Sequence, residues 1–406
     1  MRVVQINSSD TGGAARAALR LHAGMLMQGV DSRFLVKNKN AEDSPVTKIP
    51  YHEYRRGLSR YLRTRWDWRR QRHLQSGRKT STFFSECRSD FRPAHFEEIL
   101  RDVDIQHLHW TPWLIDWPTI LPWMVSRAPI VWTLHDMNVL QGIWHYTPAE
   151  NDFTPRLKRL DQQTLERKRA VLSALPTSRL VFVAPSRWLY DSLKERDHTS
   201  RFLCKCIPYG IDTATFAPID KYQARAALGL PRDKKIVGFA CESVADPRKG
   251  GQLLQQALLG IEDADLVRVS VGTSAIEASE RHIALGRLDS DEKLALFYSS
   301  LDLFAVPSLQ DNLPNTVLES MACGTPCVGF DVGGLPDMIR PGHTGFLAPV
   351  GDVQALSAQI SKAVSDCGQL EVYGANCREV ALNEYTLELQ AKRYIDLYQQ
   401  LLSEGS

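Results

Sequence analysis

Residues 302–334, DLFAVPSLQDNLPNTVLESMACGTPCVGFDVGG, decide the fold. An apolar run of strand type, Leu303 to Val306, ends at Pro307-Ser308, and a polar loop follows. The chain is then predicted to enter a helix at Pro314, a favoured first helical residue because its missing N–H has no partner to lose. Gly324 stops that helix, and a second buried strand begins almost at once over Pro326 to Phe330. The loop carries Asp311, and the helix carries Glu319 eight residues later. The first helical amides, near Asn315, Thr316 and Val317, are orphan donors at the positive end of a helix dipole and suit a phosphate. Glu319 lies more than one turn further in, within reach of a ribose diol. Together these groups fit a nucleotide diphosphate that carries a sugar. The plain alternative is a strand–loop–helix unit with a capping Asp and a surface Glu.

Composition bounds the rest. A chain of 406 residues exceeds one ordinary core, and two domains are the default. Apolar residues at 43% can fill two cores, and a charged fraction of 24% is ordinary for a soluble protein. A net charge of +2 gives no global signal for nucleic acid. No apolar run reaches the roughly 20 residues of a spanning helix. The opening MRVVQINSSD has one basic residue and a short strand-like run, which is not the pattern of a signal peptide. The eight cysteines are scattered, and neither Cys204-Lys-Cys206 nor Cys323 to Cys327 has a second half that completes a zinc site. Free buried thiols in a reducing cytoplasm are expected.

Strands and helices alternate from end to end, the pattern of parallel sheets. Strands are predicted at Val3–Asn7, Ser32–Val36, Ile105–His109, Ile130–Leu134 and Leu180–Ala184. Around Cys204–Pro218 the chain leaves this half through IPYGIDTATFAP, rich in turn residues. Strands resume at Lys235–Cys241, Leu266–Val271, His282–Leu285, Leu303–Val306 and Cys327–Phe330. Helices are predicted over Ala14–Gln28, Asp291–Ser300 and the closing stretch Leu387–Leu402.

The 302–334 segment resembles the acidic–seven–acidic signature of the retaining glycosyltransferases with two Rossmann-like domains, the GT-B fold of family 4. The resemblance implies an α/β chain with two such domains facing a central cleft. Residues 1–205 would form the acceptor-side domain and 206–385 the nucleotide-sugar domain, with 386–406 as a helix packing back on the first. It assigns Asp311, Asn312 and Leu313 to the donor sugar, Glu319 to the ribose, and Asn315 and Thr316 to the diphosphate, where the helix start also offers the Val317 amide. The usual first acid is Glu, so Asp311 leaves the identity of the sugar open. Four further places match. Gly12-Gly13, between the first strand and its helix, would face the donor phosphate and the acceptor, since glycine lets backbone approach a ligand; a simple tight turn is the other reading. His135, delivered by the strand PIVWTLHD, would contact the donor sugar on its reacting face; a lone His here is otherwise a hydrogen-bonded core residue. The following Gln141–Tyr146 segment keeps His145-Tyr146 but lacks the cysteines of similar family members, so no metal loop is implied. In Asp246–Gly251, Lys249 would be a phosphate cation. The family's second cation, six residues earlier, is here Ser243, and Arg248 is the residue that could replace it. Lastly, Arg287 and Leu288 would pack against the nucleobase.

By this resemblance the chain transfers a hexose from a UDP- or GDP-linked donor, such as GDP-mannose, to a glycan acceptor, plausibly lipid-linked, in surface polysaccharide synthesis. His135, Asp311 and Lys249 are the catalytic candidates; no cofactor and no metal are expected. A sugar-nucleotide epimerase of similar architecture and a non-catalytic sugar-nucleotide-binding partner of a membrane assembly remain alternatives. The absent glycine fingerprint and its ribose-binding acid at the first turn argue against an NAD enzyme. Donor binding does not explain residues 55–79, RRGLSRYLRTRWDWRRQRHLQSGRK, with ten Arg or Lys against one acid. Arg63, Arg65, Arg69 and Arg70 interleave with Trp66 and Trp68, a composition suited to the anionic inner leaflet. A solvated helix pair or loop is the alternative, and nucleic acid ranks behind both. Vesicle co-sedimentation checks this: retention on anionic but not neutral vesicles is expected, and equal retention contradicts membrane docking.

Overall fold

The computed structural model describes residues 1–42, 44–50, 83–148, 154–242, 246–273 and 281–404. Arg63, Arg65, Trp66, Trp68, Arg69, Arg70 and Ser243 lie outside the described residues. Contacts divide the chain into two units. The first is Met1–Pro185, Leu189–Ile207 and Arg393 onward; the second is Ser186–Trp188 and Pro208–Lys392.

In the first unit, strands β1 (Arg2–Ser9), β2 (Asp31–Asn38), β3 (Thr47–Lys48), β4 (Ile105–Leu108), β5 (Ile130–Thr133), β6 (Leu180–Ala184) and β7 (Leu203–Cys206) form one sheet. Its order is β3-β2-β1-β4-β5-β6-β7, with every neighbour parallel. The second unit contains β8 (Lys235–Ala240), β9 (Leu266–Val271), β10 (His282–Gly286), β11 (Leu303–Val306), β12 (Cys327–Phe330) and β13 (Gly345–Ala348). These run β10-β9-β8-β11-β12-β13, again all parallel. Numbered from its own first strand, the second sheet follows the doubly wound order 3-2-1-4-5-6 and the first extends it by a seventh strand, so each unit is Rossmann-like. Strand order reverses between β1 and β4 in one sheet and between β8 and β11 in the other. Ligands of such sheets bind beyond the carboxyl ends of the strands at that reversal.

The central strands β4, β5, β6, β11 and β12 are buried along their whole length, because helices cover both faces of a parallel sheet. The sequences of β5, β6, β11 and β12 accordingly read as near-continuous apolar runs, whereas β4 buries Gln106 and His107. In the second unit Val237, Phe239, Leu303, Ala305, Val328 and Phe330 share a core with Leu254, Leu356 and Ile360. Each such side chain contributes about 1.5–3 kcal/mol on burial.

An ionic brace fixes the two strands at the second reversal. Asp302, just before β11, accepts from the Ile236 amide of β8 and from Arg225 Nη2, both at 2.7 Å. Its other oxygen accepts from Lys221 Nζ at 2.7 Å. Arg225 lies on the helix Lys221–Leu228 and is buried. It also donates to the carbonyls of Ser300, Arg232 and Lys234, each at 2.9 Å.

Three details differ from the sequence reading. Leu203–Cys206 pairs with β6 as a seventh strand, although the chain was expected to leave the first half there. Gly345–Ala348 forms β13, which no alternation announces in a run of four residues. Pro314 is the cap rather than the first helical residue: its ψ of 125° is extended, and the helix is Asn315–Ala322.

Arg225→Met would leave the half-buried Asp302 carboxylate without one of its two cations and three carbonyls without this donor. A loss of about 1.5–3 kcal/mol is expected, read from the urea midpoint; an unchanged midpoint would show that the brace carries no stability.

Candidate functional site

At the second unit's reversal, one turn and one loop meet. After β8 comes the single 3-10 turn Pro247–Lys249, capped by Asp246, whose Oδ1 accepts the Arg248 amide at 3.0 Å. Gly250 ends it at φ 69°, and a Cβ there would fall 1.8 Å from the Pro307 carbonyl oxygen. Only glycine lets the turn rest on the loop that follows β11. The Leu309 amide completes the contact by donating to the Arg248 carbonyl at 2.8 Å.

Asp311 is the centre of this junction. Lys249 Nζ donates to Asp311 Oδ2 at 2.6 Å, Ser308 Oγ reaches the same oxygen at 3.2 Å, and the Asn312 amide donates to Oδ1 at 3.1 Å. Burial pushes the carboxyl upward, but the Lys249 and Arg248 charges and these hydrogen bonds outweigh it and hold it below the usual carboxylate range. The loop is closed from behind by Gly333, at φ 58°, where a Cβ would lie 1.8 Å from the Asp311 carbonyl oxygen. Ser186 Oγ donates to Asn312 Oδ1 at 2.6 Å. Arg248 points at the same loop: Nη1 donates to the Gln310 carbonyl at 2.9 Å and lies 3.9 Å from Asp311 Oδ2.

The helix Asn315–Ala322 starts directly beyond this loop. The Val317 amide donates to the Pro314 carbonyl at 3.1 Å, so the diphosphate donors named from sequence narrow to Asn315 and Thr316. Leu313 is buried. Glu319 is only 1% exposed, which removes the reading of a surface glutamate, and its Oε2 accepts from Tyr298 Oη at 2.8 Å. Arg287 is exposed and Leu288 half-buried, both just past β10. The second unit therefore brings Arg248, Lys249, Asp311 and Asn312 into one bonded cluster.

The first unit holds the other candidates. Gly12, at φ 95°, caps the helix Gly13–Met27 that follows β1. The Asp10 carboxylate secures this loop by accepting the Asn40 amide at 2.9 Å and the Ala41 amide at 3.1 Å. His135 stands just beyond β5, with its Nε2 3.2 Å from His109 Nδ1. Beside it, Asp136 Oδ2 is bonded to His145 Nδ1 and accepts from Trp110 Nε1 at 2.9 Å. Ser85 Oγ lies 2.7 Å from His145 Nε2. The fully buried Lys168 ammonium donates to the carbonyls of Asn138, Gln141 and Gly142 and so holds the loop between Asp136 and His145. His135, Asp136, His145 and Trp110 line a pocket of about 30 Å³, room for around two waters. Sequence reading passed over His107 and His109. Their signal was alternation, since residues two apart on a strand share one face. Among the described residues no group of three or more His, Cys, Asp or Glu is arranged to hold a metal.

Residues 234–366 match the family described as "Glycosyl transferases group 1". The chain carries a group 1 glycosyl transferase domain. The turn with Lys249, the loop with Asp311 and the helix with Glu319 all fall inside that domain. A D-inositol 3-phosphate glycosyltransferase of Mycobacterium sp. (strain KMS) is 32% identical over 268 residues, covering 62% of this chain and 56% of the relative. The one from Streptomyces bingchenggensis is 25% identical over 306 residues, covering 67% and 61%. The chain thus spans little more than half the length of these relatives. Sucrose-phosphate synthase from Thermosynechococcus elongatus has the same fold, with TM-score 0.70, 20% identity and 100% of both chains covered. Anabaena HepE, solved with UDP and glucose, gives TM-score 0.69 at 16% identity, covering 98% and 99%.

Burial drives three histidines of the first unit toward their neutral forms: His107 to about 3, His135 to about 4, and His109 well below its ordinary value, the last also pressed by His107 and His135. Unfolded histidine titrates near 6.5, so between these values the unfolded chain binds more protons and stability falls as pH falls. Each histidine contributes about 1.4 kcal/mol per pH unit in that window and nothing above it. Urea midpoints should be level from pH 8 to 7 and drop steeply from pH 6.5 toward 4.5. A flat profile would show that these histidines are charged in the folded chain.

Proposed function

We propose that this chain is a retaining glycosyltransferase that moves a hexose from a UDP- or GDP-linked donor to a glycan acceptor, lipid-linked in surface polysaccharide synthesis. The observation that carries the reading is the Lys249–Asp311 pair, 2.6 Å long, at the strand-order reversal and one loop before a helix start. An ammonium has three donors, so Lys249 can keep Asp311 and still bind a phosphate oxygen. With Arg248 and the amides of Asn315 and Thr316 it would stabilise the leaving diphosphate without a metal. Glu319, one oxygen held by Tyr298, would accept from the ribose hydroxyls. Asn312 and Leu313 meet the sugar, Arg287 and Leu288 the base, and Gly12 and Gly13 the phosphate and acceptor. His135 is assigned to the sugar's reacting face. The resemblance supplies the stereochemistry: front-face attack with no covalent carboxylate intermediate.

Uracil is the first base to try, because fold neighbours were solved with UDP and with UDP-glucose. D-inositol 3-phosphate, named in the relatives, belongs in the acceptor panel. Peripheral attachment to the inner leaflet rests on the 55–79 segment; no described helix is long and apolar enough to cross a membrane.

The test is transfer from labelled UDP- and GDP-sugars across that panel, with the product anomer read by NMR. Retained configuration is expected, and an inverted product contradicts the mechanism. Glu319→Gln keeps a partner for Tyr298 yet should weaken donor binding by about 1.5–3 kcal/mol. Lys249→Met should lower turnover roughly 10²–10³-fold. Unchanged donor affinity in Glu319→Gln would remove the ribose assignment.

A further inference from the structure

A cavity of about 490 Å³ opens in the second unit, away from Lys249 and Asp311. Its wall includes Asp302, just before β11, and Pro326, just before β12, so it lies at the amino ends of these strands. The cluster of Lys249 and Asp311 lies past their carboxyl ends. Small-molecule sites typically enclose about 300–1,000 Å³. One wall is the helix Cys367–Glu384, which presents Leu370, Glu371, Ala375 and Arg378. That helix rests on the turn after the helix Asn315–Ala322 through two glycines. A Cβ at Gly374 would fall 2.3 Å from the Gly324 carbonyl oxygen, and Gly324 itself has φ 75°. Pro218, Ile219, Leu301 and Pro326 continue an apolar lining.

Most polar groups of the lining are already committed. Ser299 Oγ accepts from the Ile219 amide at 3.2 Å, and Thr325 Oγ1 donates to the Tyr298 carbonyl at 2.8 Å. Asp302 is spent on the Ile236 amide, Arg225 and Lys221. Burial pushes the Cys323 thiol up to about 12, so that part of the wall stays neutral. Two cations keep donors in hand. An ammonium has three N–H donors, and among the described residues Lys221 bonds only Asp302. Arg378 donates from Nη1 to the Phe216 and Ala322 carbonyls at 2.7 and 2.8 Å, and from Nη2 to the Thr213 carbonyl at 3.0 Å. A guanidinium has five N–H donors, so those on Nε and one on Nη2 remain. The carbonyl bonds hold the guanidinium in place before any ligand arrives, which lowers the cost of binding. Lys221, Arg378 and the bonded Arg225 stand against Asp302 and Glu371, a surplus of one positive charge.

We propose that this cavity is a second binding site, for a small monocarboxylate with a hydrocarbon body, its charge matched by Lys221 and Arg378. The site does not depend on the sugar-transfer reading. A sugar fits it poorly, because the hydroxyls of the wall are committed and none of the described lining residues is aromatic. A diphosphate also fits poorly, since one surplus charge cannot offset it and Glu371 repels it. A hydrocarbon body gains from the apolar lining.

Sodium octanoate is the probe, titrated into the full chain and followed by ligand-observed NMR, with octanol and octylamine as controls of equal chain length. Octanoate should saturate one site and bind about tenfold or more tighter than octanol, the margin of a charged hydrogen bond. Octylamine should not compete with it. Ala375 is exposed on its helix, so Ala375→Trp should fill the cavity and abolish octanoate binding with the unfolding midpoint unchanged. Lys221→Met should weaken octanoate about tenfold and leave octanol unaffected. Equal affinity for octanoate and octanol in the parent chain overturns the proposal without any variant. Octanoate binding that survives Ala375→Trp overturns it too, as does a parent chain that binds no octanoate.

Discussion

A carboxylate buried alone costs several kcal/mol, and Asp311 is buried. It is stable there only because Lys249 stands 2.6 Å away and two further donors hydrogen-bond to it. That requirement binds the turn after β8 to the loop after β11. The glycines follow from it, since any side chain at Gly250 or Gly333 would strike a loop carbonyl. An aspartate is shorter than the glutamate usual in the resembled signature, so the main chain itself must come close to the lysine. The second unit meets that demand with glycine backbone.

The first unit handles buried polarity differently. There the sheet interior holds neutral imidazoles, hydroxyls and the carboxamides of Gln5 and Gln106, which avoids the desolvation of ions. Tyr398 Oη lies 2.6 Å from His107 Nδ1, and Thr133 Oγ1 is 2.7 Å from both His107 Nε2 and Tyr394 Oη. The last helix thus contributes hydroxyls to the first unit's core. One unit offers fixed charge suited to a diphosphate; the other offers directional neutral groups suited to hydroxyls.

Much of this was legible in the sequence. Buried parallel strands announce themselves as apolar runs ended by turn residues, and 302–334 gave strand, loop, helix and strand in order. The two acids and Lys249 were visible because their surroundings resemble the family's signature; the spacing of the acids alone carries little weight. What stayed hidden was tertiary. Nothing in the spacing of Lys249 and Asp311 shows that they touch. Glu319 was legible as an acid on a helix but not as a buried one, because its burial depends on Tyr298 from another helix. Gln5, Ser32, His22 and His109, hydrogen-bonded in series, come from separate strands and one helix, and only the sheet order joins them. β13 was lost because Gly345-Phe346-Leu347-Ala348 opens on glycine and has no β-branched residue.

The most direct test of a diphosphate site built on Lys249 and Asp311 is thermal unfolding of the full chain with UDP, GDP, ADP and CDP, each with and without a chelator. Saturation at about a hundred times the dissociation constant adds roughly 2.7 kcal/mol of stability, a shift that is easily seen. One diphosphate should raise the midpoint equally with and without chelator, and Lys249→Met should abolish the rise. No shift with any of the four, or a shift that survives Lys249→Met intact, would contradict the assignment of this junction as the donor site.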